Sequence, residues 1–255
     1  MHDYGEKVVL GHTIPAGGGI EDGLQLVHIL AHQPATAHYI SLKLCRRFVA
    51  DDPPESVVDR AAKAFMKSNG DIRAVLKSIL TSHEFFSQAA YRAKVKSPLE
   101  LVASSLRALG AQTEAGPQVL QFIARMGEPM FEYQAPTGFP DRATTSINSS
   151  TLLVRMRYAM ALAANRLPGT EVNWSALAAD DSPDPYDGFL EKLNEALLEG
   201  SLTAQTREAI VKSETAGPPS VPPTPDQPAA GSGPGQRERV MLAAMVLAAP
   251  EFQRR

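Results

Sequence analysis

Apolar residues in most of this chain recur every three or four positions, which is the spacing along one face of an α-helix. Ile40, Leu44 and Phe48 form one such series. A strand signal is clear only at residues 7–10. The pattern therefore predicts an all-α fold, a multi-helix bundle. The predicted helices cover residues 21–31, 34–49, 53–69, 71–81, 97–109, 116–126, 149–166, 184–199, 203–213 and 236–249.

Polar residues next to proline or glycine mark the starts of several of these helices. Ser97-Pro98-Leu99-Glu100 has the capping-box pattern, in which Ser97 accepts from the third amide and Glu100 reaches back. Asp52 and Asp184 each precede a proline, and Asp71 follows a glycine, which makes all three candidate N-caps. We therefore expect helices to begin at or just after these residues.

One segment between predicted helices is rich in proline and glycine. Seven of the 20 prolines fall within residues 215–235, where Val221 is the only sizeable aliphatic residue. Such a segment buries too little apolar surface to offset the entropy of ordering it. We therefore expect a disordered linker at 215–235 between a helical domain, residues 1–214, and a C-terminal helix within 236–255 that packs back on the bundle.

A second segment, about residues 127–148, lacks both the helical and the strand pattern. Long irregular segments inside compact domains are usually either functional or disordered. Phe131, Tyr133 and Phe139 make this one too aromatic for simple disorder. We therefore predict a long ordered loop that packs over the bundle.

Length, charge and cysteine content exclude several classes of protein. A chain of 255 residues forms one large domain or two small ones. Its net charge of -3 argues against a dedicated nucleic-acid binder, which usually carries a basic excess. A single cysteine excludes an internal disulfide framework. No apolar run approaches the length of about 18 residues that a membrane span needs.

Residues 75–85 and 242–252 share one pattern: an apolar helix, two small residues, one variable residue, and then Glu-Phe. We expect Ser82 to cap a short turn that follows the first apolar helix, and Glu84 and Glu251 to lie in a first turn, where the helix dipole favours an anion. The phenylalanines that follow should turn into the core. The pattern predicts two similar helical hairpins.

Three blocks of sequence occur together in order. The first runs from Gly17-Gly18-Gly19 to Pro53-Pro54, the second from Gly70 to Leu99-Glu100, and the third from Met126-Gly127-Glu128-Pro129 to Leu153-Val154-Arg155. Together they resemble the C-terminal half of the bacterial family called domain of unknown function 1800. The resemblance runs from about His2 to Arg255.

The resemblance implies no activity, cofactor or catalytic residue, because none is established for that family. Its full-length members are longer, often look exported, and occur beside a sulfatase-like partner family. The resemblance therefore implies a protein partner, either the missing N-terminal half or the sulfatase-like neighbour. Met1-His2-Asp3-Tyr4 leads straight into family-like sequence, so we expect no signal peptide and a chain that is a fragment or a truncated product.

Candidate ligand-binding residues concentrate in and after the long loop. They are Gln134, Asp141, Arg142, Asn148 and Arg155. Asp141 and Arg142 have the charges to bind a polar ligand, and Arg155 can join them from the start of the next helix. The alternative is a pinned covering loop, with Arg155 hydrogen-bonded to backbone carbonyls, and this structural interpretation is favoured.

Three other patterns carry candidate chemistry, and each has a favoured structural interpretation. His28 and His32, one helical turn apart, are half of a zinc site, with His38 nearby, although uncoordinated histidines are more common. Gly17-Gly18-Gly19 precedes a helix, as in anion-binding loops, yet Glu21 and Asp22 would repel an anion. Cys45 lies among cations that can lower a thiol pKa, but it also continues an apolar stripe.

Two functional hypotheses remain open. The leading one is a structural or interaction module of an exported bacterial protein, whose helices expose an apolar surface to a partner. The alternative is an enzyme or small-ligand-binding domain with its polar site at residues 127–155.

Overall fold

A computed structural model describes residues 2–142, 147–174, 185–215 and 234–255. Within these ranges the chain forms eleven helices and two small antiparallel sheets of two strands each. The predicted all-α class is confirmed, with the two ribbons as minor additions. The chain divides into two compact units, Met1–Lys94 and Val95–Arg255.

The first unit is built around three packed helices. Its core consists of apolar side chains from these helices, among them Cys45, Val57, Val58 and Ile79. A two-stranded antiparallel ribbon precedes these helices, and in it Lys7 lies opposite Ile14 and Val9 opposite His12. The elements are β1 (Lys7–Val9), β2 (His12–Ile14), α1 (Ile20–Ala31), α2 (Pro34–Phe48), α3 (Glu55–Lys67) and α4 (Ile72–Leu80).

The second unit has a larger core, which includes Tyr158, Phe189 and Phe252. In this core the helix Pro234–Ala248 packs against the helices Ser149–Ala163 and Pro185–Leu198. The elements are α5 (Pro98–Ala108), β3 (Gln112–Thr113), α6 (Pro117–Arg125), α7 (Ser149–Ala163), β4 (Thr170–Glu171), α8 (Pro185–Leu198), α9 (Ala204–Thr215), α10 (Pro234–Ala248) and α11 (Pro250–Gln253).

The predicted start signals act as expected where the structure describes them, with one exception. Ser97 and Glu100 form both hydrogen bonds of the capping box of α5. The Asp71 side chain accepts from the Arg73 amide at 2.8 Å at the start of α4. Asp52 is not the N-cap of α3, because residues 53 and 54 stay outside the helix and Pro54 takes that position. Asp184 lies outside the described residues.

Helix α7 ends three residues earlier than predicted. Asn165 adopts a left-handed backbone conformation, with φ of 51°, which stops the helix. Its side chain then bonds both the amide and the carbonyl of Val172, at 2.8 and 3.0 Å. An asparagine that satisfies its own local backbone in this way competes with helix continuation.

The segment between α6 and α7 has no helix or strand among its described residues, as predicted, but it does not cover the core. Met130 packs against the core, whereas residues 131–138 are exposed, and Phe131 is 98% exposed. Tyr133 and Phe139 stack on each other, with ring centroids 4.5 Å apart. The expectation of a loop packed over the bundle was therefore wrong for this stretch: two of its aromatic residues contact each other and the third is exposed.

The predicted division into residues 1–214, a linker at 215–235 and a C-terminal helix within 236–255 stays a prediction. Most of the predicted linker, residues 216–233, lies outside the described residues.

Candidate functional site

The five candidate ligand-binding residues lie in different surroundings. Gln134, Asp141 and Arg142 lie in exposed loop positions. Asn148 and Arg155 make their hydrogen bonds to other parts of the fold, as described below, and none of these bonds reaches the three loop residues. A ligand site built from all five residues stays a prediction.

Asn148 is the N-cap of α7. Its Oδ1 atom accepts from the amides of Ser150 and Thr151, at 3.0 and 2.9 Å. The Thr151 hydroxyl in turn accepts from the Asn148 amide at 2.9 Å. This reciprocal box satisfies helix-terminal amides that would otherwise lack partners, so a structural role accounts for the polar side chain at this position.

Arg155 is a buried link between distant segments. It is 1% exposed, and its two terminal nitrogens donate to Gln253 Oε1 and to the Lys96 carbonyl, each at 2.9 Å. Burial lowers the pKa of Arg155. The Lys96 amide also donates to the Gln253 carbonyl at 2.8 Å, so Arg155 reinforces the pairing of the C-terminal segment with the entry to α5. One of the two acceptors of Arg155 is a backbone carbonyl, as the structural interpretation expects, and the other is a side-chain amide oxygen.

A surface cleft of about 730 Å³ lies beside the ribbon of β3 and β4. Two of its hydroxyls, on Thr113 and Thr170, bond each other at 2.7 Å. Gly169, with φ of 66°, lines it where a Cβ atom would meet the Glu114 carboxylate at 3.0 Å. The bond between the two hydroxyls joins the strands of the ribbon. The cleft is lined by Gln112, Thr113, Glu114 and residues 165–171.

The two histidines of the candidate metal pair contact each other, and His32 is hydrogen-bonded within the fold. His28 and His32 stack, with ring centroids 4.1 Å apart. His32 uses Nδ1 for the His28 carbonyl at 2.7 Å and Nε2 for the Asn69 side chain. With both its ring nitrogens occupied, His32 has none left for an ion in this arrangement, although the metal assignment itself stays untested.

The glycine-rich loop before α1 holds an anion that the chain supplies itself. A Cβ atom on Gly18 would lie 1.8 Å from Asp22 Oδ1, so only glycine fits against this carboxylate. Asp22 Oδ2 accepts from Lys7 Nζ at 2.9 Å and lies 3.0 Å from His2 Nε2. The hydrogen bond from Lys7 lowers the pKa of Asp22. The side chain of Asp22 therefore fills the space beside these glycines.

Cys45 is a core residue and not an activated thiol. It has no exposed surface. Burial raises its pKa to about 11, so the thiol stays protonated near neutral pH. The charge of Arg60 lowers the pKa of this thiol but does not outweigh its burial.

The most distinctive surface feature of the first unit is an apolar face on α1. Ile20, Leu24, Val27 and Leu30 are 45–81% exposed. At 100° per residue these four side chains occupy about one third of the helix circumference. We call this set the α1 face. The sequence predicted an exposed apolar surface but did not identify these residues as its members.

A second such face lies on α7 in the other unit. Leu152, Leu153, Met156 and Met160 are 39–49% exposed. The opposite side of α7 is buried, with Tyr158, Ala159 and Leu162 in the core. Apolar side chains therefore occur on both the buried and the exposed side of α7, next to the exposed Arg157. We call this set the α7 face.

These observations define a helical protein in which two of the sequence-predicted polar residues, Asn148 and Arg155, support the fold. In the described part of the chain, no helix is long and apolar enough to cross a membrane. A family model described as "Protein of unknown function (DUF1800)" matches residues 1–254, so the chain belongs to the DUF1800 family. The predicted family is confirmed, and its placement in the C-terminal half stays a prediction. No curated protein and no solved structure matches the chain.

Proposed function

We propose that this chain is a non-enzymatic interaction module that uses the α1 face to bind a helix of a protein partner. The observation that carries the proposal is the exposure of four large apolar side chains on one side of one helix. Leaving such side chains in water forgoes about 1.5–3 kcal/mol each relative to full burial. A partner that covers the face recovers part of this free energy.

The shape of the α1 face points to a helical partner. A row from Ile20 to Leu30 is about 15 Å long at 1.5 Å per residue, and its spacing is that of helix-in-groove recognition. Gly23 lies on the same side of α1, and nothing approaches within 4 Å of where its Cβ atom would be. A partner backbone can therefore come close to α1 at this point.

The partner we propose first is the N-terminal half of the family domain, with the sulfatase-like neighbour as the alternative. Both come from the family resemblance, as does the role in an exported protein. The ligand-binding alternative at residues 127–155 receives less support, because Asn148 and Arg155 are hydrogen-bonded within the fold.

The test is a calorimetric titration of the full chain with each purified partner in turn. We expect the double variant Leu24→Gln, Val27→Gln to weaken binding of one partner by at least about tenfold, which corresponds to a loss of about 1.4 kcal/mol. Gln25→Ala is the matched control, because Gln25 is exposed on the opposite side of α1, and it should bind like the wild type.

The outcomes separate the alternatives. Binding that is unchanged in the α1 double variant but weakened by Met156→Gln, Met160→Gln would move the docking surface to the α7 face and reject the α1 face. Absence of binding to either partner, together with a dimer of the chain that the α1 double variant dissolves, would replace the proposed partner by a second copy.

A further inference from the structure

The first unit brings together three metal-ligating side chains that no sequence pattern joins. His38 lies on α2, and Glu55 and Asp59 lie on α3. His38 Nε2 is 2.9 Å from Glu55 Oε1, and the three ligand atoms all lie within 4.8 Å of one another. We propose that His38, Glu55 and Asp59 form a surface site for a divalent transition-metal ion, with Zn²⁺ as the preferred ion.

The fold holds in place the backbone segments that carry this triad. Glu55 and Asp59 are four residues apart and therefore share one side of α3. The residues next to the ligands in sequence, Ala37 beside His38 and Val58 beside Asp59, are buried in the core of the unit. The ligands thus lie at the rim of the packed contact between α2 and α3, where the backbone of both helices is held in place.

The local charge favours a cation at the triad. Among the described residues, Asp59 forms no ion pair, and the ion-pair partner of Glu55 is His38 itself. Of the cations along α3, Arg60 is bound to Glu84 through both terminal nitrogens. Lys63 is exposed one turn after Asp59 on the same side of the helix, and its single charge leaves the two carboxylates in excess. The dipole at the start of α3 accounts for an acidic residue at Glu55, but it does not account for His38, which comes from another helix and faces the same point.

The donor set selects among metal ions. One imidazole nitrogen and two carboxylate oxygens suit Zn²⁺ and its neighbours better than Ca²⁺ or Mg²⁺, which prefer oxygen ligands alone. Three protein ligands leave at least one coordination position open. Because the His38 side chain is 44% exposed and that of Glu55 68% exposed, this position faces solvent, where a water molecule or a ligand from another molecule can complete it.

The experiment is a calorimetric titration of the full, untagged chain with Zn²⁺, supported by the visible absorption spectrum of the Co²⁺ form. We expect one ion per chain. His38→Ala and Asp59→Asn should each weaken binding by at least about tenfold, since even changes outside the ligand shell of a metal site cost that much. His28→Ala is the matched control. It should bind like the wild type, because His28 is not part of the triad and belongs to the other candidate histidine pair.

Three results would overturn the proposal. These are no uptake of Zn²⁺ below about 1 mM, uptake that survives His38→Ala, and uptake that is lost in His28→Ala. The exposure of His38 and Asp59 makes their variants suitable probes. Their far-UV circular dichroism and melting temperature without metal should match those of the wild type, so a loss of binding reports on the ligands.

Discussion

Residues 82–85 and 249–252, here called the two Glu-Phe turns, follow one sequence pattern, but their glutamates are bound by different groups. In the first turn, the Glu84 carboxylate binds the first part of α3, where Ser56 Oγ donates at 2.7 Å and the Arg60 guanidinium donates at 2.8 and 2.9 Å. Each of the two terminal nitrogens of Arg60 bonds a different oxygen of Glu84, so the pair is bidentate. The first turn is therefore held to α3 by a charged contact.

In the second turn, the Glu251 carboxylate binds the start of α9. The hydroxyls of Thr203 and Thr206 donate to Glu251 Oε1 at 2.6 and 2.7 Å, and the Thr203 amide donates at 3.3 Å. Every donor is neutral. In both turns a glutamate is hydrogen-bonded to the first part of an earlier helix, but one set of donors includes a cation and the other is neutral.

The repeated pattern determines where the glutamate lies, but not which groups bind it. The pattern places a carboxylate beside the start of another helix in both units. It does not specify the donor, which comes from the helix packed nearby. We therefore expect the two turns to respond differently to the same substitutions.

The largest expected difference is at the phenylalanines. Phe252 is 2% exposed in the core of its unit, whereas Phe85 is only partly buried against the core of the first unit. Phe252→Ala should lower the free energy of unfolding by about 3–5 kcal/mol, and Phe85→Ala by roughly half of that, because less apolar surface is lost. Chemical denaturation of both variants measures this. Equal losses would show that the two phenylalanines are packed alike.

The next largest difference is expected at the glutamates, because Glu84 has a charged donor and Glu251 has only neutral ones. Glu84→Gln removes a bidentate charged contact and should cost about 1–2 kcal/mol, with the exposure of Arg60 limiting the value. Hydrogen bonds from Arg60 and Ser56 hold the pKa of Glu84 well below its usual range. A carboxylate with a lowered pKa stabilises the fold above its unfolded pKa of about 4.3, and this stabilisation is lost as the pH falls toward the folded value. Denaturation of wild type and variant between pH 7 and pH 3 should show their difference shrinking in acid, and a constant difference would contradict this.

Glu251 should respond less to the same change. Burial raises the pKa of Glu251, but hydrogen bonds from Thr203 and Thr206 outweigh it and lower the pKa. Glu251→Gln keeps an oxygen that can accept from both hydroxyls, so it should cost less than about 1 kcal/mol. The same denaturation series tests this, with Glu251→Ala as the variant that removes the acceptor altogether. A larger cost for Glu251→Gln than for Glu84→Gln would reverse the comparison.

The sequence predicted those features whose partners lie close together in the chain. The Ser97 capping box depends on residues three positions apart, and helical periodicity likewise spans a single turn. The contact between Glu84 and Arg60 joins residues 24 positions apart, and that between Arg155 and Gln253 joins residues 98 apart. Such partners are determined by helix packing, which periodicity alone does not predict.

The candidate sites follow the same rule. Asn148 was predicted to bind a ligand because it is polar and follows a long loop. The local pattern to which it belongs is a capping box with Thr151. His38 and Glu55 come together across 17 positions, so a search for histidines one turn apart selects His28 and His32 instead. A search that pairs polar residues near the start of one helix with those near the start of the next would identify His38, Glu55 and Asp59.

The smallest expected difference lies at the first residue of each turn. The Ser82 hydroxyl accepts from the Phe85 amide at 3.2 Å, whereas Ala249 has no such group, and its carbonyl accepts from the Phe252 amide at 3.1 Å. Ser82→Ala should cost about 1 kcal/mol, as for other N-cap residues. Ala249→Ser should change the free energy of unfolding by less than about 0.5 kcal/mol, because Pro250 already sets the backbone of its turn and the Phe252 amide already has an acceptor. Thermal and chemical denaturation of the two variants tests this pair, and a gain from Ala249→Ser as large as the loss from Ser82→Ala would show that both turns depend on a hydroxyl cap.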